Sequence, residues 1–409
     1  MSPQVYTLSN GIRVVHQSMP NVVAHFAVFI NTGTRDEKKG EHGMAHFIEH
    51  TLFKGTSKRN LFQVLNRLDN VGADLNAYTT KEDTCIYASF LGQYYERVIE
   101  LIHDISFHSV FPEPELEKEK QVIMDEIRSY LDSPSDQIYD DFEDLIFKGH
   151  PLGKNILGSL KSLGTISREK LLDFIKNNYN TNRMVICSVG NIDFKRLMNL
   201  VKKYFGAERE KNGNKTVHRS LFYTPSTRFV HKKLNQVHCI IGGPAFAYDD
   251  PRRIPLALMN NMLGGPLMNS RLSIALRERN GLTYQVDSTY SPYTDTGAIA
   301  IYFGTDSSLY EKAIAVIYKE LRKLREKKLG NIQLRIIQKQ LKSQLAIANE
   351  SNLSLMFSIG KSFLVQNRYD PIEVLMNKID AVTSVQLQDI ANEIFSPERM
   401  SLLAFLPSE

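Results

Sequence analysis

The chain has 409 residues, 42% hydrophobic and 23% charged, with 50 basic against 45 acidic side chains and a formal net charge of +5. That length exceeds what one hydrophobic core supports and predicts about two domains of an ordinary globular protein. The small basic excess lies partly in Glu320 to Lys328, where charges alternate with apolar residues at helical spacing and no aromatics intervene; this predicts a solvated helix face and argues against a nucleic-acid partner. No apolar run approaches the length of a membrane span, and Met1 to Tyr6 has neither the basic nor the apolar region of a secretory signal. Cys85, Cys187 and Cys239 lie far apart in apolar runs, without metal-ligand spacing. Together these features predict a cytoplasmic protein with reduced cysteines and no membrane partner.

In chain order, residues 5–17 predict two strands turning at Ser9-Asn10-Gly11, since Asn-Gly between apolar runs is a hairpin signal. Val22 to Ile30 is nearly continuous in apolar residues and predicts a buried central strand. Asn31 to Glu41 is a polar loop leading into Gly43-Met44-Ala45-His46-Phe47-Ile48-Glu49-His50-Thr51-Leu52-Phe53. Read as a helix, this stretch places His46 and His50, at i and i+4, on one face with Glu49 beside them. Two imidazoles and an unligated carboxylate are what a hydrolytic zinc site requires, in the order H-x-x-E-H that inverts the commoner zinc helix. Two hydrogen-bonded histidines on a half-buried helix remain the alternative at this point.

A helix is predicted over Leu61 to Val71, then β-rich Ala73–Tyr78 and Thr84–Phe90, then helices near Tyr94–Phe107 and Glu113–Leu131. In the last of these, Val122, Ile123, Ile127 and Tyr130 form an apolar stripe, and Glu119 and Glu126, two turns apart, point along it. Carboxylates on a core-facing stripe are costly unless paired or bound to a cation. One of them is therefore a candidate third zinc ligand; charges at a half-solvated edge are the alternative.

Residues 166–186 have a counterpart 216 positions later: Leu171-Leu172-Asp173-Phe174-Ile175 and Arg183-Met184 match Leu387-Gln388-Asp389-Ile390-Ala391 and Arg399-Met400. An ungapped offset over more than twenty positions implies two copies of one fold. The predicted organisation is a domain over 1–210, a polar linker over 211–227 and a homologous domain over 228–409. Its class is α+β, each domain a mainly antiparallel sheet with helices on one side. The second half has no H-x-x-E-H. At the corresponding place it carries Leu263-Gly264-Gly265-Pro266 and then a helix ending at Arg277 to Gly281. No dinucleotide-binding fingerprint or P-loop is present.

Taken together, these residues resemble the insulinase and pitrilysin family of zinc metallopeptidases, and within it the short-chain branch of mitochondrial processing peptidase and its bacterial relatives. The family pattern is H-x-x-E-H with a glutamate about 76 residues beyond the second histidine, which falls on Glu126 here. The resemblance implies zinc held by His46, His50 and Glu126, with Glu49 as general base and Glu119 as a supporting carboxylate. It further implies that the strand Leu75-Asn76-Ala77-Tyr78 pairs with a peptide substrate, and that Arg277 and Tyr284 contact the substrate carbonyl. Longer family members enclose a chamber with four such domains in one chain. A two-domain chain bearing both the zinc motif and the Arg277/Tyr284 pair is thus expected to form a homodimer with composite sites, acting on peptides or unfolded segments. The alternative from another class is a non-catalytic scaffold or partner subunit of the same fold.

Overall fold

The structure is a computed structural model that describes residues 2–213 and 222–408. Of the expected linker 211–227, residues 214–221 lie outside the described residues. The chain forms two compact units, one of Met1–Arg128, Lys154–His218 and Ile347–Tyr369, the other of Ser129–Gly153, Arg219–Ala346 and Asp370–Glu409.

The first unit holds β1 (Gln4–Thr7), β2 (Arg13–Ser18), β3 (Val23–Ile30), β4 (Asp74–Thr79), β5 (Thr84–Leu91) and β6 (Met184–Gly190). They form one sheet in the order β1-β2-β6-β3-β5-β4. The second unit holds β7 (Thr227–Lys232), β8 (Val237–Ala245), β9 (Gln285–Pro292), β10 (Gly297–Thr305) and β11 (Ser401–Pro407), in the order β7-β11-β8-β10-β9. In the first sheet only β2 and β6 pair in parallel, and in the second only β7 and β11, every other pair being antiparallel. Without β1 the two sheets are topologically identical, as the internal repeat predicts.

The helices repeat in the same order. The first series is α1 (Met44–Thr51), α2 (Leu61–Asp69), α3 (Tyr95–His108), α4 (Glu113–Leu131), α5 (Pro134–Ile146), α6 (Leu160–Leu163), α7 (Arg168–Asn178) and α8 (Phe194–Phe205). The second is α9 (Arg253–Gly264), a π-helical turn at Ser273–Glu278, α10 (Tyr310–Glu326), α11 (Asn331–Asn349), α12 (Asn352–Gln366), α13 (Ile372–Asp380) and α14 (Ser384–Ile394). At the expected offset, Ser167 and Thr383 each cap their helix, α7 and α14, by accepting a backbone N–H in the first turn.

Each sheet is covered on both faces, not on one side as the sequence suggests. On β3, Phe26, Val28 and Ile30 join the core beneath α1 and α3, while Ala27 and Phe29 pack with Met356, Ile359 and Phe363 of α12. On β10, Ile299, Ile301 and Phe303 face one core, while Ala298, Ala300 and Tyr302 meet Ile138, Phe142 and Ile146 of α5. Strands apolar on both faces lose the alternation that marks a half-solvated sheet, which is why Val22–Ile30 reads as one continuous run. The covering helix comes each time from the other half of the sequence. α12 lies so close to its sheet that a Cβ on Gly360 would sit 2.1 Å from the Phe29 ring.

Candidate active site

Helix α1 begins at Gly43, whose φ of 86° lies in the left-handed region where glycine is at ease. Its first turn is anchored from the preceding loop: the Glu37 carboxylate accepts the N–H of Gly43 at 3.1 Å and of Ala45 at 3.0 Å. Two of the N–H groups that a helix start leaves without partners are satisfied this way. Burial outweighs these bonds and pushes the Glu37 carboxyl up to about 8. Met44, Ala45, Phe47 and Ile48 are buried in the core of the first unit, so the opposite face of the helix presents His46, Glu49 and His50.

Helix α4 brings Glu126 to these histidines. His46 Nε2 lies 3.8 Å from Glu126 Oε1, His50 Nε2 lies 3.4 Å from Glu126 Oε2, and the ligand atoms of the three residues fall within 4.8 Å of one another. A tetrahedral zinc with bonds of about 2.0–2.1 Å places its ligand atoms about 3.3 Å apart, so two imidazoles and a carboxylate gathered within 4.8 Å of one another are a donor set that zinc could draw together. Glu126 Oε2 is a buried oxygen without a hydrogen-bond partner, as expected of an atom whose partner is a metal. Burial, reinforced by His50, pushes His46 down to about 4, which keeps that imidazole neutral and able to ligate. His50 Nδ1 lies 3.3 Å from Glu119 Oε2, and Glu119 Oε1 is held by Lys54 Nζ at 2.5 Å. The buried stripe of α4 is Leu116, Glu119, Ile123 and Ile127. Val122, expected in that stripe, is exposed instead, because the stripe runs from Glu119 to Ile123 and Ile127 in steps of four, and Val122 lies about 100° round the helix from Ile123.

Glu49 is half-buried beside this cluster. Burial raises its pKa, while hydrogen bonding to Thr79, the last residue of β4, opposes the shift. β4 pairs with β5 alone and so forms the sheet edge, against α1. The predicted substrate strand Leu75–Tyr78 therefore lies on an open edge next to the histidines. The Ala77 N–H bonds to the side chain of Asn76 at 2.8 Å, so it points away from β5, as a donor on a free edge does.

The other predicted residues lie in the second unit. Arg277 lies in the last turn of the π-helical segment and donates from Nε to Glu278 at 2.8 Å; Tyr284 precedes β9 and is 91% exposed. Both line one cavity with Gln236, Thr283 and Asp306. Sequence reasoning missed Glu37 and Thr79. Glu37 sits in a stretch that reads only as a polar loop, and nothing in the spacing ties Thr79 to Glu49; their roles depend on contacts across the fold.

A family model described as insulinase (peptidase family M16) matches residues 13–160, and one described as peptidase M16 inactive domain matches residues 165–341. Curated relatives include the uncharacterized zinc protease YmxG of Bacillus subtilis, 33% identical over 98% of both chains. An uncharacterized zinc protease of Rickettsia felis is 33% identical over 95% of this chain and 94% of its own. Among solved structures, a protease from Helicobacter pylori shares the fold with a TM-score of 0.89 at 21% identity, covering 99% of each chain. A peptidase M16 inactive domain from Pseudomonas fluorescens reaches 0.93 at 18% identity, covering 100% of this chain and 99% of that one. With two family models covering residues 13–160 and 165–341 and a relative 33% identical over 98% of both chains, the chain belongs to the insulinase family, peptidase family M16.

Proposed function

We propose that the chain is a zinc-dependent endopeptidase that cleaves peptides or unfolded segments inside a chamber closed by two copies of the chain. The observation that carries this reading is the convergence of His46, His50 and Glu126 beside a half-buried Glu49 and an open strand edge. Zinc held by the two imidazoles and the carboxylate would polarise the scissile carbonyl and acidify the attacking water. Glu49 takes the proton from that water and delivers it to the leaving amide nitrogen, base and then acid. Its burial raises its proton affinity, which suits it to hold the proton between the two steps. Glu119, tied to Lys54, fixes the ring of His50. The substrate backbone pairs with β4 as an added strand, so recognition reads main chain more than sequence. Arg277 and Tyr284 donate hydrogen bonds to the substrate carbonyl as negative charge develops on it.

In a homodimer each site would take zinc from one copy and the Arg277/Tyr284 pair from the other. A mixing experiment tests this. Glu49→Gln and Tyr284→Phe chains, each inactive alone, are expected to recover about a quarter of wild-type activity after subunit exchange, since random pairing makes about half the dimers mixed and each of these has one intact site of two. No recovery after demonstrated exchange overturns the composite site. Stoichiometric zinc in the wild-type chain with no cleavage of any unfolded peptide would sink the enzyme reading and leave a scaffold.

A further inference from the structure

The second unit contains a cavity that the reaction above does not use. It lies between α9 and α11, holds about 150 Å³, and is lined by Arg271, Asn261, Asn269, Gln333 and Gln340 over an apolar floor that includes Met262 and Ile337. Its position has a counterpart in the first unit. α9 follows β8 as α1 follows β3, and α11, a helix of 19 residues like α4, takes the same place in the order of elements. Where the first unit places its histidines and Glu126, the second therefore keeps a cavity walled by amides and one guanidinium.

None of these five side chains has a hydrogen-bond or ion-pair partner among the described residues. The acidic group that bears on Arg271 is Glu320, and Glu320 is already bonded to Lys323 at 2.5 Å. A half-buried guanidinium without a partner carries five N–H donors, and the four amides add more. Arg271 is the one charged group among the lining residues, so the cavity favours an anion, and a planar carboxylate is the group that a guanidinium binds through two parallel bonds while amides bond its remaining lone pairs. Volume narrows the choice. Pockets for cofactors and drug-sized ligands hold roughly 300–1,000 Å³, so this cavity takes a group the size of one side chain or one chain end. Met262, Leu267 and Ile337 offer contact to a short aliphatic stem.

We propose that this cavity is a subsite for a carboxylate on a short aliphatic stem, carried by a peptide as an acidic side chain or as its C-terminus. It rests on the peptidase reading only for the source of that carboxylate. Arg271 forms the bidentate pair, the amides of Asn261 and Gln340 bond the remaining lone pairs, and the pocket anchors a peptide away from the residues that cleave it.

The test measures binding by calorimetry to the full-length, zinc-loaded chain carrying Glu49→Gln, so turnover does not intervene. Three probes separate the sources: acetyl-Ala-Ala-Gln with a free C-terminus, acetyl-Ala-Ala-Glu-amide, and acetyl-Ala-Ala-Gln-amide. At least one of the first two is expected to bind, and the third, which has no carboxylate, about tenfold more weakly or not at all. Adding Arg271→Gln is expected to weaken the carboxylate probe by at least about tenfold. Gln340→Leu, which removes an amide that bonds the carboxylate and leaves Arg271 in place, is expected to weaken it as well, with an unchanged melting temperature as the control for folding. Equal binding of all three probes, failure of both carboxylate probes to bind, or unchanged affinity in Gln340→Leu overturns the subsite. Because these readings come from a chain without its general base, loss of the peptidase reading and loss of the subsite are separate results.

Discussion

Glu37 and His46 titrate in opposite senses. The Glu37 carboxyl stands above its unfolded value, at about 8, so the folded chain holds a proton that the unfolded chain has released, and stability falls as pH rises from about 4.5 to about 8. His46 stands below its unfolded value, at about 4. Here the unfolded chain binds the extra proton, and stability of the metal-free protein falls as pH drops from about 6.5 to about 4. Glu37→Gln is therefore expected to flatten the alkaline limb, by an amount on the order of a few kcal/mol, when urea unfolding is compared at pH 5, 7 and 9. An alkaline limb as steep as in the wild type would show that another group sets it. Glu119 acts one bond further from the metal. Glu119→Gln weakens the acceptor facing His50 and is expected to lower zinc affinity about 10–100-fold in competition with a chelator. Unchanged affinity would remove Glu119 from any role at the metal.

Between elements, α12 lies close against its sheet in the first unit. Gly360 leaves no room for a side chain against Phe29, and the adjoining face packs Met356, Ile359 and Phe363 against Ala27, Val185 and Cys187. Gly360→Val is expected to cost about 1–3 kcal/mol by overpacking, read as a shift in the denaturant midpoint. A midpoint within error of the wild type would mean that α12 can lift from the sheet without cost. α4 works differently. Its buried stripe carries Glu119 through the core, so one helix both seals the first unit and delivers Glu126 to the histidines. The proposed zinc ligands thus rest on two helices locked by packing, which holds their geometry more tightly than loops would.

For the molecule as a whole, the exchange of α5 and α12 makes the two halves of the sequence interdependent. A piece spanning residues 1–213 lacks the helix that covers Ala27, Phe29, Val185 and Cys187, and a piece spanning 222–409 lacks the one that covers Ala298, Ala300 and Leu403. Each piece expressed alone is expected to bind a hydrophobic dye and to unfold without a cooperative transition, and co-expression is expected to restore both. Cooperative unfolding of either piece alone would refute that interdependence. Among the described residues, no helix is long and apolar enough to cross a membrane.

The sequence alone determined what depends on local spacing: His46 and His50 one turn apart, Glu119 and Glu126 two turns apart, and the 216-residue offset that sets Ser167 against Thr383. Those follow from helical period and repetition, which are properties of the chain itself. Tertiary structure decided the rest. Only the fold sets Glu37 under the first turn of α1, Thr79 beside Glu49 and β4 at an open edge, since each depends on residues brought together from elsewhere in the chain. Only the fold sends α5 and α12 to the sheet of the opposite half, because an apolar helix face does not encode which apolar surface will cover it. The cavity around Arg271 belongs to the same class: its amides come from α9, the turn after it and α11, and nothing in their spacing joins them.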